Sequence, residues 1–428
     1  MNLTKQFFKY VSQNILGMIG FSCYVLADSY FISIAKGADG LTALNLVMPL
    51  YSIIFSIGEM IGVGSAIRYA ISKIKKDADA DDYFWNALIW CILSSMLFVF
   101  AGIFFSADIM RVLGADEHIV AVGNNYTKIF MCFAPMFMCN YVTNAFVRND
   151  GAPGIAMSAT LFSSLFNIVF DYILMFPMNL GMEGAALATA LSPIIGMGIC
   201  SIHFFSKKSS VRLVVCKPSV RKLVAGCQLG VSAFVGEMSS AVITLAFNFV
   251  ILKLAGNVGV AAYGVVANIA IVTTAVFNGV AQGSQPLISS CFGRGDKDGC
   301  TQLKRMGYTT AFVLAAVMYS ILFIFAGQFV AVFNSEGSEM LRLYATEGVK
   351  LYFIGIFFAG INIVGGGAFS ATEDAFKAAV VSVARGFVLI LGAVFVMSAL
   401  FGMTGVWLAY AVAEGITTFI MLVMVLRV

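Results

Sequence analysis

Charged side chains are scarce in this sequence. The 26 Lys and Arg and 22 Asp and Glu residues make up 11% of its 428 residues, whereas soluble domains carry about 25%. Two His, and nine Cys without a CxxC pair, indicate no redox or structural metal centre. A net charge of +4 gives no basic surface for a nucleic acid. The hydrophobic share of 60% excludes a disordered chain and requires lipid as the surrounding medium.

The apolar residues form continuous runs, as at 89–105 and 387–401. Transmembrane strands would instead alternate apolar and polar residues over about 10 positions, and a spanning helix needs about 20 apolar residues. The sequence therefore predicts an all-α polytopic membrane protein with twelve transmembrane helices. The predicted spans are 11–35, 42–72, 84–107, 119–147, 154–178, 182–206, 223–254, 257–290, 303–333, 341–370, 376–401 and 404–426.

The chain divides into two similar halves. A polar stretch at 207–222 separates 1–206 from 223–428, and each half holds six predicted spans. At an offset of 221 residues, GMEGAALATA (181–190) and GMTGVWLAYA (402–411) share six of ten positions. Because six spans return the chain to the same side, the repeat is parallel. We predict an N-terminal lobe, a cytoplasmic linker and a C-terminal lobe, with two pseudo-symmetric six-helix bundles around a central cleft.

The distribution of Lys and Arg predicts the orientation. If the N-terminus is cytoplasmic, 20 of the 26 basic residues, Arg148, Arg385 and Arg427 among them, lie on the cytoplasmic side, in agreement with the positive-inside rule. Both termini are then cytoplasmic, and the predicted location is the cytoplasmic membrane. No Lys or Arg is expected at the middle of a span.

Five acidic residues lie within predicted spans, where a charge costs about 2.5–3.5 kcal/mol. An acid kept at this cost indicates a functional site by default, with a proton relay as the usual role. The structural alternative is a protonated acid with a hydrogen-bond partner, or one that reaches water at a helix end. The five acids are Asp28, Glu59, Asp171, Glu237 and Glu414.

Asp171 is the leading candidate because Asn167, four residues earlier, shares its helix face. An amide can donate to a carboxylate and accept from a carboxylic acid, which suits a group that binds and releases a proton. Asp28 lies at a similar depth, and two neighbouring acids would influence each other's protonation. Thr189 could add a hydroxyl. We predict a cation- or proton-coupling site from these four residues.

The two halves differ in their polar residues. Asn167 and Asp171 correspond to Val388 and Gly392 in the second half, so coupling is expected in the N-terminal lobe. Candidates for a second acidic site are Glu237, Glu414 and Glu59. The polar residues predicted to face the cleft are Asn248, Asn268, Asn278, Gln282 and Asn362.

Several motifs resemble those of the multidrug and toxic compound extrusion (MATE) transporters over essentially the whole chain. They include VLADSYFIS, FNIVFDYILM followed by GMEGAALATALS, and GVAQGSQPLISSCFGRGD. The resemblance implies efflux of organic cations in exchange for protons or sodium. The family's N-terminal cluster would fall on Asp28, Asn167, Asp171 and Thr189, and its seventh-span acid on Glu237.

The sequence departs from the family in three places. Gln13 and Asn14 stand where many members have a proline in the first span, and the seventh span begins Gly230-Val231-Ser232, again without proline. The tenth-span acid of some sodium-linked members is absent, and Asn362 is the nearest polar residue. Proton coupling is therefore our first choice, and sodium at Asp28, Asn167 and Asp171 is the alternative.

We predict a secondary antiporter, not an enzyme, that exports amphipathic organic cations. We expect H+ or Na+ as coupling ion, no cofactor or other metal, the lipid bilayer as partner and a monomer. Two alternatives stay open. A flippase for a lipid-linked precursor would need intramembrane Arg or Lys for a pyrophosphate. A channel would need rings of like residues, and a membrane-embedded enzyme would need a catalytic set.

Overall fold

The computed structural model describes residues 3–333 and 338–426, and Arg427 lies outside this part of the chain. Within these residues the protein consists of helices and their connections, without strands. The helices are α1 (Leu3–Lys75), α2 (Asp82–Val112), α3 (Glu117–Cys132), α4 (Ala134–Asn149), α5 (Pro153–Met175), α6 (Gly181–Phe204), α7 (Val220–Gly293), α8 (Lys297–Ile324), α9 (Ala326–Phe333), α10 (Glu339–Tyr352), α11 (Ile356–Ala371), α12 (Ala375–Val383) and α13 (Leu389–Leu426).

Glycines with positive φ reverse the chain at equivalent places in the two halves. α1 is broken at Gly37 (φ 58°, ψ −141°) and α7 at Gly256 (φ 62°, ψ −157°). Gly181 (φ 52°) and Gly402 (φ 59°) form a second pair. This backbone conformation is open to glycine because it has no Cβ. The repeat seen in the sequence therefore reappears as a repeat of backbone geometry.

The described residues contain nine helices long and apolar enough to cross a membrane, or ten if α3 and α4 form one bent span. The axes of α3 and α4 differ by 46°, and Pro135, at the start of α4, cannot donate the hydrogen bond that would continue α3. This count already treats the two segments of α1 as separate helices. Two of the remaining helices contain the breaks at Gly256 and Gly402, and dividing them there would raise the count from ten to twelve. The number twelve stays a prediction.

The outer surface is apolar, as a lipid environment requires. On α2, Leu97 is 69% exposed and Phe104 is 64% exposed, and on α13 Leu400 is 67% exposed. Exposed apolar residues of this size on many helices would form a patch too large for a soluble monomer. The protein is therefore a multi-pass membrane protein, as the sequence predicts.

Among the described residues, the interior has two large hydrophobic cores and two small ones. One large core is built mainly from the first half and includes Tyr126, Phe130 and Phe146, with Leu229 from α7. The other is built mainly from the second half, including Phe353 and Trp407, and takes in Phe7 and Val11 from the start of α1. The predicted two-lobed helical fold is thus confirmed.

The connection between α6 and α7 lies along one end of the bundle, which we name the linker face. The backbone N–H of Ser219 donates to Asn86 (2.6 Å), and that of Arg212 donates to Asp81 (3.2 Å). Lys222 donates to Asp82 (2.6 Å), and its ammonium group lowers the pKa of the nearby Asp79 carboxyl. These contacts fix the connection to the N-terminal lobe. The division at 206 and 223, and its cytoplasmic location, stay predictions.

The two lobes touch closely toward the linker face. A Cβ at Gly64 of α1 would collide with the Gly226 carbonyl of α7, and a Cβ at Gly283 would lie 2.7 Å from Val11 Cα. Arg68 pairs with Glu373 and also donates to the Ala225 carbonyl (3.2 Å). Small residues and an ion pair therefore close the space between the lobes at this face.

We expect Gly64→Ala to weaken this closure. The added methyl group cannot fit against the Gly226 carbonyl, and overpacking typically costs about 1–3 kcal/mol. The thermal unfolding midpoint in detergent should fall. Gly198→Ala is the matched control, because Gly198 lies in a helix and a Cβ there meets nothing within 4 Å. Equal midpoints for the two variants would contradict the close contact.

Candidate functional site

A cavity of about 400 Å³ lies between the two lobes. Drug-sized ligands bind in pockets of about 300–1,000 Å³. The wall includes both segments of α1 and of α7, together with residues from α10 to α13. The predicted central cleft is therefore present, and both lobes contribute to it.

The cavity wall combines aromatic, aliphatic and acidic side chains. Its aromatic residues include Tyr24, Tyr51 and Phe55 of the N-terminal lobe and Tyr263 of the C-terminal lobe. Aromatic faces attract organic cations. The acids that border the cavity are Asp28, Glu59 and Glu237.

The four predicted coupling residues come together beside the cavity. With its amide oriented to satisfy both neighbours, Asn167 donates to Asp171 Oδ2 (3.1 Å) and accepts from the Thr189 hydroxyl (3.1 Å). Asn167 and Asp171 are completely buried, whereas Asp28 and Thr189 border the cavity. The cluster thus has an inner pair and an outer pair. Its functional role stays a prediction.

In the part of the chain that the structure describes, neither aspartate has a basic partner. Asp28 Oδ1 and Asp171 Oδ1 are buried without a hydrogen-bond partner among the described residues, and the charges of the two carboxyls are near enough to interact. A buried carboxylate is costly unless it is paired or neutralised. Binding a cation at this site would remove that cost, which is the chemistry a coupling site needs.

Glu59 takes part in a contact between the lobes. Gln282 of α7 donates to Glu59 (3.2 Å) and accepts from Arg148 Nη1 of α4 (2.6 Å). An amide of the C-terminal lobe therefore lies between an acid and a base of the N-terminal lobe. If the lobes separate here, Glu59 and Arg148 lose this common partner and must find others.

Glu237 faces the cavity from α7. Its side chain is half-buried, and its charge interacts with that of Glu59. Because these two acids come from different lobes, a cationic ligand between them would reduce their repulsion. Glu237 thus fits the expected second acidic site better than Glu414 does.

Glu414 is paired with a base. Arg385 Nη2 donates to Glu414 Oε1 (2.6 Å), and Asn362 donates to Oε2 (2.7 Å). Thr418 donates in turn to Asn362 Oδ1 (3.0 Å). With both carboxylate oxygens occupied by donors, Glu414 is less suited to take up a proton or cation than the sequence suggests.

Two predicted cleft residues, Asn248 and Asn268, do not border the cavity, whereas Asn278, Gln282 and Asn362 do. The lining of the first segment of α7 ends at Thr244, and Asn248 lies one turn further toward Gly256. Asn268 is the next residue after the lining residue Ala267, and neighbouring residues of a helix are rotated by about 100° around its axis. Depth and rotation place both residues off the lining surface.

Two arginines counted among the cytoplasmic basic residues, Arg148 and Arg385, are not on the exposed surface, and the cytoplasmic position of Arg148 stays a prediction. Arg148 is 5% exposed, and Arg385 borders the cavity. The expectation that no arginine lies at the middle of a span is therefore wrong for Arg385. The available signal was Glu414, because an acid at this depth needs a base unless it is neutralised by a proton or a ligand.

The comparisons with known proteins agree with this architecture. The model of the MatE family matches residues 14–173 and 233–396, about three quarters of the chain. The multidrug export protein MepA of Staphylococcus aureus is 27% identical over 405 residues, which cover 92% of this chain and 87% of the relative. MepA of Staphylococcus saprophyticus is 26% identical over 400 residues, with the same coverage.

Two solved structures show the same fold. One is an outward-facing multidrug resistance MATE family transporter of the MOP superfamily, with a TM-score of 0.93, 20% identity and coverage of 100% of this chain and 96% of the other. The other is a MOP superfamily transporter from Pyrococcus furiosus described as having a binding pocket of reverse polarity. It matches with a TM-score of 0.91, 19% identity and coverage of 99% and 95%.

We expect Glu414→Met to destabilise the protein, because it leaves the Arg385 charge buried without its partner. Breaking a buried pair costs about 3–5 kcal/mol. The double variant Arg385→Met/Glu414→Met should recover most of this loss, as judged by thermal unfolding midpoints in detergent. In the exposed pair Arg111–Glu117, the control Glu117→Gln should leave the midpoint almost unchanged, because exposed ion pairs contribute little to stability. A double variant no more stable than Glu414→Met would show that the two side chains are not coupled.

Proposed function

Because the chain belongs to the MatE family, we propose that it exports amphipathic organic cations from the cell in exchange for protons. The observation that carries this proposal is the cavity between the lobes, which three acids and several aromatic side chains border. Acidic groups attract a cation, and aromatic faces accommodate its flat, apolar part. The MepA relatives are named multidrug export proteins, which supports transport out of the cell.

The coupling site in this proposal is the cluster of Asp28, Asn167, Asp171 and Thr189. Its two aspartates have no basic partner among the described residues, whereas Glu414 in the other lobe is paired with Arg385. The first cluster can therefore change its charge by ion binding without breaking an ion pair, whereas Glu414 cannot. Protons remain our first choice, with sodium at Asp28, Asn167 and Asp171 as the alternative.

The protein would exchange protons for substrate if it alternates between a state open to the outside and a state open to the cytoplasm. These two states must then bind the proton and the substrate with different affinities. On the orientation predicted from Lys and Arg, the linker face is cytoplasmic and the closed face of this structure is the inner one. Proton binding at the aspartates would favour one packing of the first helix, and the substrate would favour the other. Coupling requires that the two ligands exclude each other, or nearly so. We propose a monomer in the cytoplasmic membrane as the working unit, since each chain has its own cavity.

We expect Asp171→Asn to abolish drug-stimulated proton movement in proteoliposomes, because an amide retains the shape of the carboxyl group but cannot release a proton. The rate should fall at least tenfold, as measured with a pH-sensitive dye in the vesicle lumen. Asp108→Asn is the matched control, since Asp108 is an exposed acid at the end of α2. Normal exchange by Asp171→Asn would exclude this mechanism.

Repeating the transport assay without sodium and at clamped pH distinguishes the coupling ions. Transport driven by a pH gradient without sodium would support protons. Transport that requires sodium would move the proposal to the alternative ion at the same aspartates.

A flippase for a lipid-linked pyrophosphate is the second candidate, because Arg148 and Arg385 lie in the interior. Arg148 is engaged with Gln282, and Glu414 already balances the charge of Arg385, so the two arginines do not offer the several positive charges that a pyrophosphate needs. A pyrophosphate in this cavity would also meet three acids. The distribution of charge therefore favours a substrate that carries a cationic group. Drug accumulation in cells without their own pumps would separate the two functions.

A further inference from the structure

Arg385 is a basic residue in the wall of the cavity that the proposed coupling mechanism does not use. It lies ten residues after Ala375, where α12 begins, which corresponds to about 15 Å along the helix. The apolar stretch continues from Ala375 to the break at Gly402, so Arg385 lies well inside a span and not at its end. An arginine at this depth is costly and indicates a functional site.

The pair with Glu414 directs the guanidinium toward the cavity. Glu414 accepts from Arg385 Nε (3.1 Å) and Nη2 (2.6 Å), and the Nη1 amino group is not used by this carboxylate. The side chain of Arg385 is 16% exposed, whereas that of Glu414 is only 3% exposed. The carboxylate thus lies behind the guanidinium, and a ligand in the cavity meets the cation first.

The backbone at Arg385 is also unusual. Residues Ala384–Val388 form a π-helical turn between α12 and α13. Such turns are rare in proteins, but those that occur are often found at functional sites. The following Gly386 packs closely on α7, where a Cβ would lie 2.7 Å from Ser239 Cβ. Local geometry and packing together hold Arg385 at the cavity wall.

The cavity therefore presents charges of both signs. Asp28, Glu59 and Glu237 can attract a cationic group, and Arg385 can attract an anionic one. A simple organic cation would gain nothing from Arg385 and would be repelled by it. A molecule with a cationic group and a carboxylate would use both kinds of side chain, and guanidinium groups bind carboxylates especially well.

We propose that Arg385 binds an anionic group of the transported molecule, so that this protein prefers zwitterionic amphiphiles that carry a carboxylate. The inference rests on the proposed export function and specifies its substrate class. Glu414 acts as a positioning residue that holds the guanidinium and balances its charge when the cavity is empty.

A rhodamine dye with a free carboxyl group, compared with its methyl ester, tests this proposal. The two share a cationic ring system, and only the free acid carries an anionic group. We expect the double variant Arg385→Gln/Glu414→Gln, which leaves no buried charge unpaired, to lower the affinity for the free acid relative to the ester by about tenfold. Fluorescence anisotropy with purified full-length protein in detergent measures both affinities, and proteoliposomes measure dye export.

Lys377→Gln is the control for loss of a positive charge. Lys377 lies in α12, just before the π-helical turn of Arg385, pairs with Asp374 (3.0 Å) and does not border the cavity, so both affinities should stay unchanged. An equal change for the two dyes in the double variant, or no change, would show that Arg385 serves only Glu414. Wild-type export of the ester but not the free acid would refute the substrate class and leave the export function intact. Export of neither dye would refute the export function, and the inference with it.

Discussion

A charge inside a membrane must be neutralised, paired or given access to water, because hydrocarbon cannot solvate it. Three arrangements in this protein meet the requirement differently. Arg385 and Glu414 neutralise each other in the C-terminal lobe. Glu59 and Arg148 share the amide of Gln282. Asp28 and Asp171 have no basic partner within residues 3–333 and 338–426 and lie beside the cavity instead. These differences determine which groups are free to bind an ion and which hold the structure together.

The asymmetry between the lobes follows from this distribution. Both halves repeat the same backbone, down to the positive φ angles of Gly37 and Gly256. Their buried polar residues differ, since the place of Asp171 is taken by Gly392 in the second half. One architecture thus carries an ion-binding cluster on one side and a permanent ion pair on the other. The cavity between them receives acids from both lobes and a base from only one.

The contact between Glu59, Gln282 and Arg148 connects this chemistry to movement. It joins the lobes on the same side as the close packing of Gly64 on Gly226. Small residues allow the helices to approach, and the shared amide gives the acid and the base a common partner only while the lobes are together. Separation at the linker face would have to break both kinds of contact, so the bound ligands must supply the difference in free energy.

Much of the molecule could be predicted from local sequence. Continuous apolar runs determined the membrane environment and the helical class, because unpaired backbone groups are not tolerated in lipid. The spacing of Asn167 and Asp171 placed them on one helix face, and their contact with Thr189 agrees with the predicted cluster. The tertiary structure alone decided which polar residues reach the cavity. Asn248 and Asn268 miss it by a turn or a rotation, and Arg385 joins it through a π-helical turn. Pairing between distant helices depends on depth, rotation and close packing, and no local pattern in the chain records these.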